Sequence, residues 1–357
     1  MRDGKGETYL QVTPGVAQPP SVMAPTVNRR RLLTLHEYVQ GILRGDRTIL
    51  AKAITLVESR LPEDYSLAQD VIEACVPKSG RSLRVGITGV PGAGKSTFLE
   101  AIGTRLTASG MKLAVLAVDP SSERSGGSIL GDKTRMERLA ASENAFIRPT
   151  PSSGTLGGVA RRTRETMILC EAAGFQTIFV ETVGVGQSET LVHGMVDFFL
   201  LLMITGAGDE LQGIKRGIVE MADMMVINKA EGDNLARAQA ARQEYASALH
   251  MFPPRPDGWI PPVATCSSQT GAGVMEIWEM IKSFESHTKR SGSFESHRRE
   301  QRQQWLTKTV EDDLLSSFWN DPAIAAELKG IRERVENGDI YSGRAAAQLL
   351  NIFRQRK

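Results

Sequence analysis

The stretch Gly89-Val90-Pro91-Gly92-Ala93-Gly94-Lys95-Ser96 fits the phosphate-binding pattern G-x-x-x-x-G-K-[ST] without a mismatch. Residue types dictate the chemistry. Glycines let backbone N–H groups close around phosphate oxygens, and the start of a following helix adds a positive dipole end. Lys95 would reach the β- and γ-phosphates, and the Ser96 hydroxyl would hold Mg2+. Thr97 extends the candidate nucleotide-binding run. The pattern needs a strand before it and a helix after it. Leu83 to Thr88 is β-rich, and Thr97 to Ile102 reads as helix.

Carboxylates follow at the ends of later apolar runs. Asp119 closes the run that starts at Lys112, and Asp132 follows a Gly/Ser-rich segment suited to a switch loop near a γ-phosphate. Asp132 reads either as a magnesium ligand or as a helix cap. Glu181 ends the run Thr177 to Val180, where an acid can orient Mg2+ or its waters; a solvated turn is the other reading. Lys95 and Glu181 are therefore the candidate catalytic pair, with Ser96, Asp119, Asp132 and Glu181 as the metal set. Gln187, in the glycine-containing loop after Glu181, could position water.

Asn228-Lys229-Ala230-Glu231 ends another apolar run and approximates the N-K-x-D element that reads guanine. A carboxylate there accepts hydrogen bonds that guanine offers and adenine does not, so adenine leaves buried acceptors unpaired. Glu231 is one methylene longer than the usual Asp, which makes guanine preference the expectation and its strictness open. Ser267, Ser268 and Gln269, after the run Pro262 to Thr265, could present backbone to the base. A further loop, Thr205 to Gly217, contains Gln212, Gly213, Ile214, Lys215, Arg216 and Gly217. It reads as a third mobile loop beside the nucleotide or as a plain exposed connection.

These motifs must be carried by strands. Lys112 to Val118, Thr177 to Val180, Phe198 to Ile204, Met224 to Ile227 and Pro262 to Thr265 read as strands with helical stretches between most of them. That is an α/β fold with a mostly parallel sheet, which binds ligands at the carboxyl ends of its strands. Residues 1–31 carry four prolines and no apolar period, and read as a disordered tail, with an organellar transit peptide, suggested by Arg29-Arg30-Arg31, as the other reading. Residues 32–80 read as a helical subdomain, 81–285 as the nucleotide domain, and 286–357 as a C-terminal helical part. In the last, Trp305, Val310, Leu314, Leu315, Phe318 and Trp319 lay an apolar stripe, and a final helix runs from Ser342 to Phe353. The stripe reads either as a dimerisation arm or as a helix packed on its own domain.

Composition excludes several classes. Of 357 residues 41% are hydrophobic and 24% charged, and the net charge of +2 is too small to imply a nucleic-acid partner. No apolar run approaches the length that crosses a bilayer. The apolar core of a secretory signal is missing. Three scattered cysteines point to a reducing compartment, and cytoplasmic placement is expected. The five dispersed His residues form no metal-ligand pattern.

The strings Gly89–Thr97, Val118–Ser122, Gly126–Arg135, Pro151–Gly158, Glu181–Glu189 and Gly206–Gly217 together resemble the P-loop GTPase chaperones of methylmalonyl-CoA mutase, a group also described as arginine/ornithine transport kinases. The resemblance runs from about Thr34 to the end. It implies a homodimeric GTPase, using Mg2+ with GTP and GDP, that docks on a cobalamin-dependent acyl-CoA mutase. There it would gate adenosylcobalamin loading and protect or reactivate the mutase. By position it implies phosphate binding by Lys95 and a magnesium set of Ser96, Asp119, Asp132 and Glu181. The guanine site would be Asn228, Lys229, Glu231 and Ser267 to Gln269, and Gln212 to Gly217 would be a third switch facing the mutase. Three other readings stand beside it: a kinase acting on a transporter's binding protein, a nickel metallochaperone GTPase, and a nucleotide-binding scaffold. The first would need an acceptor-binding domain and the second a His-rich tract, neither of which the sequence offers.

Overall fold

The computed structural model describes residues 32–59, 61–118, 136–150, 156–182, 188–206 and 216–355. Contacts divide the chain into Met1–Thr34, of which residues 32–34 are described and are coil, and the compact unit Leu35–Lys357. The expected tail, Asp119, Asp132, Gln187 and Gln212 to Lys215 lie outside the described residues.

The compact unit is built on a seven-stranded parallel sheet: β1 Leu83–Gly89, β2 Leu113–Val118, β3 Ala145–Thr150, β4 Thr177–Thr182, β5 Phe198–Met203, β6 Met224–Ile227 and β7 Val263–Thr265. The strand order is β3-β2-β4-β1-β5-β6-β7. β1, β2, β4, β5 and β6 are almost wholly buried, which is why they read as continuous apolar runs rather than alternating ones. β3 was not among the strands expected from sequence. Pro149 and Arg148 break its pattern, and the sheet tolerates the proline because β3 is an edge strand.

Three helices precede the sheet: α1 Leu35–Leu43, α2 Arg47–Val57 and α3 Pro62–Cys75. Asp46 caps α2 by accepting from Thr48 N at 2.8 Å and Ile49 N at 3.0 Å, and Pro62 opens α3. Between strands come α4 Lys95–Ala108, α5 Glu137–Ala140, α6 Leu156–Ala172, α7 Ser188–His193, α8 Arg216–Met221 and α9 Leu235–Leu249. α2 and α3 pack on α6. After β7 come α10 Val274–Ser291, α11 Ser293–Trp319, α12 Pro322–Glu336 and α13 Ser342–Arg354.

Gly292 alone separates α10 from α11. α12, α13 and the end of α11 share a small core of their own, around Ile324, Ile331, Ile340 and Leu349 with Phe318 and Phe353. The expected apolar stripe therefore splits. Phe318 turns into that core, and Trp305 turns to the base of the sheet. Val310, Leu314, Leu315 and Trp319 stay exposed, together with Leu306. No helix among the described residues is long and apolar enough to cross a membrane.

Candidate functional site

The phosphate loop leaves β1 through a backbone that only glycine allows. Gly89 has φ 153°, and a Cβ there would lie 2.0 Å from the Leu202 carbonyl oxygen on β5. Gly94 has φ 89° and ends the loop. A Cβ on it would sit 2.7 Å from Asn228 Nδ2, so the loop can approach that residue only without a side chain. α4 starts at the next residue, with no side-chain cap from Gly94. Its first-turn N–H groups are thus left for an anion. The helix is anchored by Phe98, Leu99, Ile102 and Leu106, all buried with Val85, Ile87 and Phe179; each such side chain contributes roughly 1.5–3 kcal/mol.

Lys95 Nζ donates to the Gly89 carbonyl at 2.8 Å and the Val90 carbonyl at 3.4 Å. Burial lowers its pKa, against the pull of the Glu181 and Glu189 carboxylates. Ser96 Oγ donates to Glu181 Oε1 at 2.9 Å. The parallel register sets Ile87 of β1 opposite Glu181 of β4, which places that carboxylate, 3% exposed, beside the loop. A hydroxyl and a carboxylate in contact are two hard-oxygen donors of the type Mg2+ takes, so this part of the expected metal set fits the ion. Asp119 and Asp132 fall outside the described residues. The hydroxyl pair Thr182 Oγ1 to Thr88 Oγ1, 2.9 Å and buried, joins the ends of β4 and β1, and sequence reading did not single it out.

The second pole lies at the ends of β6 and β7. Asn228 is 1% exposed, and its side chain is spent on the protein itself. Its Nδ2 donates to the Ala93 carbonyl of the phosphate loop at 2.8 Å. Its Oδ1 accepts from Ser268 N at 3.0 Å and Ser268 Oγ at 2.8 Å. One amide thereby clamps the phosphate loop to the turn after β7. Lys229 holds φ 59°, unusual for a residue with a Cβ, and its carbonyl accepts from Asn234 Nδ2 at 2.7 Å. The Ala230 N–H donates to the Cys266 carbonyl at 2.9 Å, a second tie between the two loops. Glu231 is half-buried, and its Oε2 is buried without a hydrogen-bond partner among the described residues. An orphaned carboxylate oxygen in this place suits a ligand that offers N–H donors. Ser267 is fully buried and shapes its turn through Thr270 N at 3.0 Å, whereas Gln269 is exposed. Arg216 and Gly217, expected in the third loop, instead open α8.

The arrangement matches known proteins over most of its length. The family model described as "Methylmalonyl Co-A mutase-associated GTPase MeaB" matches residues 50–323. "GTPase ArgK" of Escherichia coli is 53% identical over 286 residues, covering 80% of this chain and 86% of that protein. The mouse "Methylmalonic aciduria type A homolog, mitochondrial" is 45% identical over 326 residues, covering 88% of this chain and 79% of that protein. A solved structure described as a "LAO/AO transport system kinase" superposes with a TM-score of 0.71 at 41% identity, covering 91% of this chain and all of that one.

Proposed function

The chain belongs to the methylmalonyl-CoA mutase-associated GTPase family, and on that premise we propose that it spends GTP on a cobalamin-dependent acyl-CoA mutase. In this reading it docks on the mutase, gates the loading of adenosylcobalamin and protects or reactivates the enzyme. It is a P-loop GTPase with a parallel sheet. The observation that carries the nucleotide side of the reading is the Asn228 clamp, which fixes the phosphate loop and the turn after β7 as one surface beside the orphaned Glu231 carboxylate.

Hydrolysis by these residues is positioning and charge balance. The first-turn N–H groups of α4 and the loop backbone hold the phosphates, and Lys95 turns from its loop carbonyls to the β- and γ-oxygens. Ser96 and Glu181 would hold Mg2+, which supplies charge neutralisation on those oxygens when bound. Glu231 accepts from the guanine N1–H and N2–H, and Ser267 to Gln269 flank the base. The intrinsic rate is slow, and docking on the mutase completes the site. The exposed apolar stripe on α11, Leu306, Val310, Leu314, Leu315 and Trp319, supports a homodimer joined through the C-terminal helices. A cytoplasmic setting accords with the three free, buried cysteines.

The test is turnover of GTP with and without a purified methylmalonyl-CoA mutase, alongside sizing-column analysis of the mixture. A complex and a faster release of free phosphate are expected. No complex and an unchanged rate would refute the client; label from γ-phosphate on a protein instead of in free phosphate would favour a kinase.

A further inference from the structure

α7 stands between the nucleotide pole and the C-terminal helices. Its first turn carries Glu189, which is 5% exposed. Its body lies against β1 at Gly86, where a Cβ would meet Val192 Cγ1 at 3.0 Å, and the turn after it adds Val196 Cγ2, also at 3.0 Å. A six-residue helix is about 9 Å long, so displacement of one end reaches the other within a single rigid element.

The far end of α7 is held from outside. Residues Gly194 to Asp197 lead into β5, and α11 supplies partners to three of the four. Trp305 Nε1 donates to the Gly194 carbonyl at 2.9 Å, and Gln301 Nε2 donates to the Val196 carbonyl at 2.8 Å. Arg298 grips the Asp197 carboxylate at 2.6 and 2.7 Å. Residues 298, 301 and 305 are spaced i, i+3 and i+7, which puts them on one helical face. Trp305 is the junction. Its ring lies against the guanidiniums of Arg84 on β1, at 5.8 Å, and Arg164 on α6, at 5.2 Å. One indole thus touches the strand that leads into the phosphate loop, α6 and the end of α7. The residue after it, Leu306, is 68% exposed and begins the apolar stripe.

We propose that Trp305 is a positioning residue for GTP hydrolysis: its indole N–H on Gly194 fixes the far end of α7, hence the seating of α7 against β1, the strand that runs into the phosphate loop, so that turnover depends on how α11 is held. The inference uses only the GTPase reaction and stands whether or not the mutase is the client.

The test is single-turnover hydrolysis by the isolated protein with no mutase present. Trp305→Phe keeps the ring between the two arginines and removes the N–H. Trp305→Leu removes both, and Gln301→Leu removes the neighbouring donor. Trp305→Phe is expected to lower the rate about fivefold, the equivalent of one hydrogen bond, with KM for GTP and the affinity for GDP within about twofold of wild type. Trp305→Phe combined with Gln301→Leu is expected to lower the rate further. A purely structural Trp305 would shift the unfolding midpoint and leave the rate per folded molecule alone. A rate within twofold of wild type in Trp305→Phe, whatever becomes of the harsher variants, would overturn the proposal. So would a fall in rate matched by an equal loss of GDP affinity.

Discussion

At the scale of single residues, Glu231 and His193 make opposite use of burial. Glu231 keeps one carboxylate oxygen buried and without a partner, a cost that is repaid only when a ligand brings N–H donors. Glu231→Ala is expected to weaken GTP binding by about tenfold to a hundredfold, the worth of hydrogen bonds to a charged group, and to leave ATP binding unchanged. Isothermal calorimetry with both nucleotides checks this, and equal losses for both would remove Glu231 from the base. His193 sits against Phe199 and His297, and burial pushes its imidazole pKa down from 6.5 to about 4. The native state therefore binds fewer protons there than the unfolded chain. The stability this group contributes is complete above about pH 6.5 and is lost as pH falls toward about 4. Asp223 works the other way: burial raises its carboxyl to about 6, so the native state takes up its proton first as pH falls. His193→Gln should flatten the acid limb between pH 6.5 and 4 in unfolding curves, leaving the gain from Asp223 visible.

At the scale of elements, the joint between α11 and the sheet is a pair of buried ion pairs in series. Arg298 meets Asp197, whose Oδ2 also accepts the Arg84 N–H at 2.8 Å, and Arg84 meets Glu171 at 2.8 Å. Arg298 also donates to the carbonyls of Gly80 and Ser82, which lead into β1. Removing one member strands the other in the interior, so Arg298→Ala is expected to cost about 3–5 kcal/mol in urea unfolding. Arg298→Met with Asp197→Asn should recover a good part of that, since the amide still accepts from Arg84 and no bare charge is left. A loss under 1 kcal/mol for the single variant would mean that α11 is held by its apolar contacts alone.

At the scale of the whole molecule, the exposed stripe on α11 is the surface least accounted for by the fold of one chain. Leu306, Val310 and Leu314 recur at i, i+4 and i+8 and are 68%, 49% and 53% exposed. Leu306→Glu with Leu314→Glu is expected to turn a dimer into a monomer in sedimentation equilibrium while GTP affinity holds. A wild-type protein that sediments as a monomer would assign the stripe to the client instead. Because Trp305 precedes this stripe by one residue, the exposed stripe and the contact with Gly194 share a helix.

The phosphate loop was legible in the sequence because its requirements are local: glycines at fixed offsets, a lysine and a hydroxyl, a strand before and a helix after. Six of the seven strands were legible as β-rich or apolar runs; β3, with Pro149 in it, reads as a strand only once its place at the sheet edge is known. The sequence placed Asn228 at a strand end, but which groups its amide meets depends on two loops 135 and 40 residues away in the chain. Arg298 and Asp197 are 101 residues apart, and Trp305 looked like one more apolar residue of a stripe. Local motifs are written in neighbouring residues, and any helix or strand that repeats its period will show them. Which face of α11 turns inward, and which carboxylate a buried arginine finds, is settled only when distant segments compete for the same interior, and that competition is what the tertiary structure decided.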